Sequence, residues 1–257
     1  MITSRSIFDL TLKPLKYNGV CVLCRDNSGL ARDLCHSCEG DLPFLHPLQV
    51  VCQRCGVALN PLSLGPSSNQ PNLHCGVCLK QPPYFHQTIA LMEYTHPVDA
   101  MIRALKLGHE FQYLNVLCLL LGKYLTELYQ HTPKPSALIA VPLHRSKLVA
   151  RGFNQSQMIA SKLSKHLAIP ALNRVCLRHN AAERQSGLDA QQRRRNLLGA
   201  FSLTPMGMKT LKQHTHVAIV DDVMTTGSTA NELAKILIQG GVDHVDVICF
   251  ARTGLNQ

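Results

Sequence analysis

Eight of the eleven cysteines form four Cys-x-x-Cys pairs within the first 78 residues. Two residues between thiols let one tight turn present both sulfurs to a tetrahedral ion, and two such turns complete its ligand shell. We predict two structural zinc ions, because four thiolates per ion leave no coordination position for catalysis. The proposed ligands are Cys21, Cys24, Cys35, Cys38, Cys52, Cys55, Cys75 and Cys78.

The sequence permits two alternatives to a pair of zinc sites. A Cys-x-x-Cys pair can act in redox chemistry, and one of the two sites could be degenerate. Ligands from consecutive pairs are favoured over interleaved ones, although the spacing permits both. Disulfides are disfavoured because the N-terminal sequence has no continuous apolar region typical of an export signal. We therefore expect a cytoplasmic protein without membrane insertion, since the longest apolar runs are also far too short to span a bilayer.

A second chemical signal is the sequence VAIVDDVMTTGST, residues 217–229. Val217–Val220 is predicted to be a buried strand, with the carboxylates of Asp221 and Asp222 following at its carboxyl end. Thr225–Thr229 then supplies hydroxyls, a glycine and a run of backbone amides. We expect a helix to begin at Thr229 with a capping box to Glu232, because Thr and Glu are three residues apart. Carboxylates for sugar hydroxyls beside amides for an anion predict a ribose-phosphate site.

The elements that must position these groups change in character near residue 83. The cysteine-rich part, residues 1–83, is predicted to be a double zinc ribbon, and residues 84–257 a separate α/β domain. Alternating strands and helices in the second part indicate a parallel sheet covered on both faces. The predicted strands are Ile89–Tyr94, Ala137–Val141, His216–Val220 and Val245–Ala251. The predicted helices are Pro97–Leu107, Glu110–Gln130, Asn154–Leu167 and Ala230–Gln239.

Positive charge is concentrated in the larger C-terminal part. The chain carries a formal net charge of +10, and no Asp or Glu occurs between Glu127 and Glu183. Such segregation attracts polyanions, so we predict contact with a polynucleotide. The alternatives are that these groups serve only a small anionic ligand or form a solvated surface. The candidate DNA-binding residues are Lys147, Lys162, Lys165, Arg193, Arg194 and Arg195.

These motifs together resemble a known family. VAIVDDVMTTGST resembles the phosphoribosyl pyrophosphate (PRPP) motif of type I phosphoribosyltransferases. With the cysteine pairs, VPLHRSKLVARGFNQSQ at 141–157 and RRRNLLGAF at 193–201, the whole chain resembles the ComF/ComFC (GntX-like) competence family. The resemblance implies an N-terminal four-cysteine zinc-ribbon domain followed by a type I phosphoribosyltransferase-like parallel sheet. It also implies a role in handling single-stranded DNA during natural transformation.

The resemblance assigns roles to individual residues. Asp221 and Asp222 would meet the ribose hydroxyls, with Mg²⁺ nearby, and the 5′-phosphate would lie on Thr225, Thr226, Gly227, Ser228 and Thr229. A second loop would bind pyrophosphate through Pro142, Leu143, His144 and Arg145, with Arg151 facing the same cleft. Gln185–Phe201 would form a hood over the site, although Ala182 departs from the family pattern.

Three functional hypotheses follow from the resemblance and the charge pattern. The first is a competence factor that handles DNA and binds PRPP. The second is an active phosphoribosyltransferase, a member of the glycosyltransferase class, whose acceptor the sequence does not identify. The third is an adaptor whose zinc ribbon docks a competence helicase or translocation ATPase.

Overall fold

A sheet of five parallel strands forms the centre of the computed structural model, which describes residues 19–28, 33–45, 49–59, 73–179 and 199–254. The strands are β1 (Gln87–Glu93), β2 (Ala137–Ala140), β3 (Ala171–Leu172), β4 (Cys176–Arg178), β5 (Phe201–Leu203), β6 (His216–Met224) and β7 (His244–Arg252). The order in the large sheet is β1-β7-β6-β2-β3, and β4 pairs with β5 in a separate antiparallel hairpin. The predicted α/β class and all four predicted strands are confirmed.

The strands form because their sequences are apolar on both faces. Val245, Val247, Ile248 and Phe250 of β7 are all fully buried. A strand that lies inside a parallel sheet contacts helices on each side, so it lacks the polar alternation of a half-exposed strand. Burial of these β-branched and aromatic side chains is the main stabilising contribution to the sheet.

The described residues form eight helices, of which the six that follow β1 in the sequence connect the strands. The helices are α1 (His36–Gly40), α2 (Gly76–Lys80), α3 (Val98–Gly108), α4 (Phe111–Leu128), α5 (Arg145–Arg151), α6 (Gln155–Leu167), α7 (Pro205–Leu211) and α8 (Ser228–Gln239). The four predicted helices are confirmed with shifts of one or two residues at their ends. α5, α7 and the strands β3–β5 were not predicted, because each has seven residues or fewer and shows little periodicity.

The connections from β2 and β6 run in opposite directions across the sheet. β2 leads through α5 and α6 to β3 on one side, and β6 leads through α8 to β7 on the other. Because such crossovers are right-handed, α6 and α8 cover opposite faces of the sheet. The adjacent carboxyl ends of β2 and β6 thus form a topological switch point, the place where open α/β sheets bind ligands.

The chain divides into two compact units, Met1–Asp41 and Leu42–Gln257. The described part of the first unit contains Cys21, Cys24, Cys35 and Cys38. The second unit contains the other four paired cysteines together with the sheet. The predicted domain boundary at residue 83 stays a prediction.

None of the helices in the described ranges combines the length and apolar character needed to cross a bilayer.

Candidate metal clusters and ligand site

The paired cysteines lie in two clusters of four, each built from consecutive Cys-x-x-Cys pairs. The sulfurs of Cys24 and Cys35 are 3.8 Å apart, and those of Cys55 and Cys75 are 3.6 Å apart. A tetrahedron with zinc–sulfur bonds of about 2.3 Å has edges of about 3.8 Å. The described cysteine residues form no disulfide. Both clusters therefore fit a four-thiolate metal ion, and the predicted pairing of consecutive motifs is confirmed.

The second cluster is the more buried of the two, and it packs against the sheet within its own unit. All four of its cysteines are buried. The Thr88 N–H of β1 donates to the carbonyl of Gln53 at 3.3 Å. A side chain on Gly56, whose φ is +68°, would lie 3.1 Å from Thr88 Cγ2. Contacts this close make the second cluster part of the structural support of β1.

Asp221 and Asp222 lie inside β6, and the prediction that the strand ends at Val220 is wrong. β6 continues to Met224 because β7 still pairs with it, matching Asp221 with Cys249 and Met224 with Arg252. β2, on the other side, pairs only as far as Ala140 opposite Val220. The acidic pair thus begins at the first position of β6 that extends past the end of β2. It borders the crevice at the switch point.

Asp221 occupies an unfavourable position for a negative charge. Burial raises its pKa to about 7, and the neighbouring charge of Asp222 acts in the same direction. A hydrogen bond from the Ser156 hydroxyl at 2.9 Å and the charge of Lys106 oppose this rise. The backbone N–H of Asp222 also donates to Asp221 Oδ1 at 2.9 Å. Asp221 is therefore poised to gain or lose a proton near neutral pH.

Asp222 is held by an ion pair. The Lys106 ammonium, at the end of α3, lies 2.8 Å from Asp222 Oδ2, and their side chains are only 15% and 5% exposed. The Val223 N–H donates to Asp222 Oδ1 at 2.7 Å. Since a buried charge is costly unless paired, Lys106 provides the compensation that keeps Asp222 inside the protein.

The loop after β6 presents hydroxyls at the surface of the crevice. Thr225 and Thr226 are exposed, and Thr226 Oγ1 lies 2.9 Å from Ser228 Oγ. Gly227 has a φ of +76°, a conformation that favours glycine. Gly227 is the N-cap of α8, which begins at Ser228, so the predicted capping box between Thr229 and Glu232 is wrong. The first N–H groups of α8 still point out of the helix toward this loop.

The predicted pyrophosphate loop lies at the same edge of the sheet. The Val141 N–H donates to the Val220 carbonyl at 3.0 Å, which holds the start of Pro142–Arg145 beside β6. Asn154, the N-cap of α6, donates to the Val141 carbonyl at 3.0 Å. His144 caps α5 by accepting the Ser146 N–H at 3.2 Å. The structure therefore brings together the two loops that the sequence singled out.

The other predicted binding residues are more scattered. Arg151 donates to Gln155 Oε1, so its orientation toward a bound ligand stays a prediction. Lys162 and Lys165 lie on the exposed face of α6, and Lys147 lies on α5. Arg193, Arg194 and Arg195 are outside the described residues, as is the predicted hood except for its last residues.

Proteins of known name match almost the whole chain. Competence protein F of Haemophilus influenzae is 34% identical over 239 residues, which cover 92% of this chain and 98% of that protein. DNA utilization protein YhgH of Escherichia coli strain K12 is 31% identical over 238 residues, 91% of this chain and 97% of that protein. The chain belongs to the competence protein F family. No protein-family model matches it. Membership confirms the resemblance stated from the motifs, and the two cysteine clusters fit the double zinc ribbon.

Three residues of this competence protein F family member support the site, and none was singled out from the sequence. The sequence around Lys106 is typical of an exposed cation at the end of a helix. The sequence around Ser156 is typical of the start of a helix. Arg252 carries the clearest signal, because a basic residue directly ends the apolar strand β7.

Arg252 connects the second cysteine cluster to the loop after β6. Its side chain is buried, and its Nε donates to the Cys55 carbonyl at 2.7 Å. Its Nη1 donates to the Met224 carbonyl at 3.2 Å and to the Thr225 carbonyl. One guanidinium thus fixes the backbone of a cysteine turn and the backbone at the start of the threonine loop.

Proposed function

We propose that the protein is a competence factor that handles single-stranded DNA during natural transformation and binds PRPP in the crevice between β2 and β6. The names of its relatives, competence protein F and DNA utilization protein, support the first part. The observation that carries the second part is the meeting of Asp221, Asp222, the Thr225–Thr229 loop and the Pro142–Arg145 loop at the switch point. We also propose a cytoplasmic location, because clusters of four cysteines that bind metal are typical of compartments that keep thiols reduced.

The crevice has the groups that a ribose phosphate requires. The exposed hydroxyls of Thr225 and Thr226 and the first amides of α8 suit the 5′-phosphate. The carboxylate of Asp221 suits the ribose hydroxyls, or a Mg²⁺ ion that also contacts the pyrophosphate, because Mg²⁺ prefers oxygen ligands. Asp222, already paired with Lys106, would hold the shape of this wall.

A further cation lies near the acidic pair. Burial lowers the pKa of Arg178, on β4, and the charge of Asp221 acts against that change, which places the two groups in the same electrostatic environment. The guanidinium carbon of Arg178 lies 5.3 Å from the centre of the Phe201 ring. Within the described residues Arg178 Nε is buried and has no hydrogen-bond partner. We propose that Arg178 contributes positive charge to the pyrophosphate side of the crevice.

Basic and aromatic groups on α6 and beside its start support DNA binding. The exposed lysines of α6 lie in the part of the sequence that has no acidic residue. The rings of Phe111 and Phe153 are 5.2 Å apart, and Phe111 is 39% exposed. Bases of single-stranded DNA stack on such rings while basic side chains contact the phosphates, so this mode of binding does not require a particular base sequence.

We expect DNA affinity to depend on salt and on the α6 lysines. A labelled single strand is titrated with the protein at several salt concentrations, with and without PRPP and Mg²⁺. The affinity should fall steeply with salt, because each neutralised phosphate releases counterions. The double variant Lys162→Gln/Lys165→Gln should show a slope smaller by about 1.4 in a plot of log K against log salt.

The matched control is Lys80→Gln/Lys235→Gln, which removes the same charge. Lys80 is on α2 near the second cluster, and Lys235 is on α8, on the face opposite α6. Equal losses in both double variants, or an affinity that salt leaves unchanged, would contradict a binding surface on α6.

PRPP binding should strengthen as pH rises through about 7. The pKa of Asp221 is raised to about 7, so the free protein holds a proton there below that pH, and a ligand that needs the carboxylate must displace it. The affinity for PRPP with Mg²⁺ should increase by up to about tenfold per pH unit below the midpoint. Calorimetry in buffers of different ionisation enthalpy measures the proton released.

The hydrogen bond from Ser156 lowers the pKa of Asp221, so Ser156→Ala should move this midpoint to higher pH. Ser164→Ala, on the same helix, serves as the control and should leave it in place. If PRPP affinity depends on pH identically in the wild type, Ser156→Ala and Ser164→Ala, Asp221 does not contribute the proton.

The second candidate function is transfer of ribose 5-phosphate from PRPP to an acceptor. The complete acidic pair and threonine loop favour it, since they are the groups that would position the sugar. Release of pyrophosphate on incubation with PRPP, Mg²⁺ and a free nucleobase would support an enzyme. PRPP binding without release supports the binding role. The proposed docking of a helicase or translocation ATPase would require the zinc clusters but not the crevice.

A further inference from the structure

Three metal-ligating side chains converge at the edge of the sheet opposite the crevice. His216 and His244 begin β6 and β7 and are direct partners in the strand register. Asp246 lies two residues after His244, so strand alternation places it on the same face. The Nε2 atoms of His216 and His244 are 2.7 and 3.0 Å from the two carboxylate oxygens of Asp246. All three ligand atoms lie within 4.8 Å of one another.

The carboxylate at this edge is buried among contacting side chains that carry no permanent positive charge. Asp246 is 0% exposed, and within the described ranges its ion-pair partners are only the two imidazoles. Gln87 Nε2 also donates to Asp246 Oδ2 at 3.0 Å. An ionised carboxylate with no water contact requires a compensating cation, and a neutral imidazole provides only a dipole. A divalent ion between the three ligands would provide that charge.

The surroundings suit an ion that enters from solvent. The His244 side chain is 42% exposed, so one ligand lies at the surface. The His86 ring stacks on the His244 ring with 4.0 Å between the ring centres, and His86 Nδ1 accepts the Val245 N–H at 3.2 Å. These contacts fix the orientation of the His244 ring, as outer partners of metal ligands do.

A buried hydroxyl gives an independent sign that a polar partner belongs here. The Tyr129 hydroxyl is buried and has no hydrogen-bond partner among the described residues. Burial raises the pKa of Tyr129, and the charge of Asp246 raises it further, which places the ring close to this carboxylate. A metal-bound water is a group to which such a hydroxyl could bond.

We propose that His216, His244 and Asp246 bind a divalent first-row transition ion, with two nitrogen ligands and one oxygen ligand. Imidazole and carboxylate suit Zn²⁺ and its neighbours in that row, and three protein ligands leave a coordination position open to solvent. This site differs from the cysteine clusters, whose four thiolates close the ligand shell. It is independent of the proposed function, since it uses none of the crevice residues.

The absorption spectrum of bound Co²⁺ distinguishes a site of nitrogen and oxygen ligands from a site of thiolates. Full-length protein with zinc in both cysteine clusters is cleared of loosely held metal and titrated with Co²⁺. We expect about one Co²⁺ per chain to bind. It should give the visible absorption bands of cobalt with nitrogen and oxygen ligands, without the near-ultraviolet charge-transfer band of a cobalt thiolate.

The variants His216→Gln and His244→Gln should each lose this spectrum and weaken Co²⁺ binding at least about tenfold, since removal of even an outer partner of a metal ligand costs that much. His214→Gln, two residues before His216 and bonded through Nδ1 to Ser136, is the matched control and should bind like the wild type. His244→Gln, at a partly exposed position, keeps the test valid if His216→Gln folds poorly. Absence of stoichiometric binding, or an equal spectrum in all variants, would show that the three side chains form only a hydrogen-bonded cluster.

Discussion

The Asp221→Asn/Asp222→Asn variant is expected to bind PRPP at least about 100-fold more weakly than the wild type. Hydrogen bonds to a charged group contribute about 1.5–3 kcal/mol each, and the variant removes the charge of Asp221, whose two carboxylate oxygens could accept from both ribose hydroxyls. It also removes the partner of Lys106 in the crevice wall. A loss of two such bonds corresponds to about 3–6 kcal/mol, hence a factor of 100 or more. Calorimetric titration with PRPP and Mg²⁺ measures the change. Asp243→Asn, an exposed acid before β7, is the control.

The two single variants should separate binding from stability. Because the pKa of Asp221 is raised to about 7 in the folded state, this group destabilises the fold progressively as pH rises from about 4 to about 7, and the full cost remains above that range. Asp221→Asn removes that cost and should not lower the melting temperature at neutral pH. Asp222→Asn leaves the Lys106 ammonium buried without its partner and should destabilise the fold by about 3 kcal/mol. PRPP affinity unchanged in Asp221→Asn would place the ribose elsewhere.

The sequence predicted the position of this crevice because the necessary pattern is local. An apolar run followed by acids, hydroxyls and a glycine is visible within thirteen residues, and strand–helix alternation places such a segment at a sheet edge. The end of β6 was misplaced because strand length depends on the partner. Polar Asp221 and Asp222 stay in the strand only because β7 continues beside them to Arg252.

The supporting residues could not be predicted because they act over long sequence distances. Lys106 pairs with a carboxylate 116 positions away, and Ser156 with one 65 positions away. Nothing in the neighbourhood of either residue specifies that partner. The cysteine clusters are the contrasting case, since their spacing and thiol chemistry nearly determine the ligand set. The support that the second cluster gives to the crevice became evident only from the contacts of Arg252.

We expect Arg252→Lys to weaken PRPP binding and to loosen the second cysteine cluster together. With zinc bound, the four thiolates of the second cluster would carry a net charge of about −2, which the buried guanidinium beside the Cys55 carbonyl would partly compensate. Lysine keeps the charge but cannot donate both to Cys55 and to the Met224 and Thr225 carbonyls, because an ammonium is a compact point charge. The threonine loop would lose the contact that fixes its backbone.

Two measurements on the same Arg252→Lys protein test this coupling. Zinc release to a coloured chelator should become faster for one of the two ions, and PRPP affinity should fall about tenfold, the equivalent of one lost charged hydrogen bond. Binding of single-stranded DNA through α6 should change little. Arg103→Lys is the control, since Arg103 is 57% exposed and pairs with Asp99 on its own helix. If Arg252→Lys is too unstable to study, Thr253→Val removes a single acceptor of the same guanidinium and should show a smaller change in the same direction. Faster zinc release with unchanged PRPP affinity would mean that the cluster supports the fold without supporting the ligand loop.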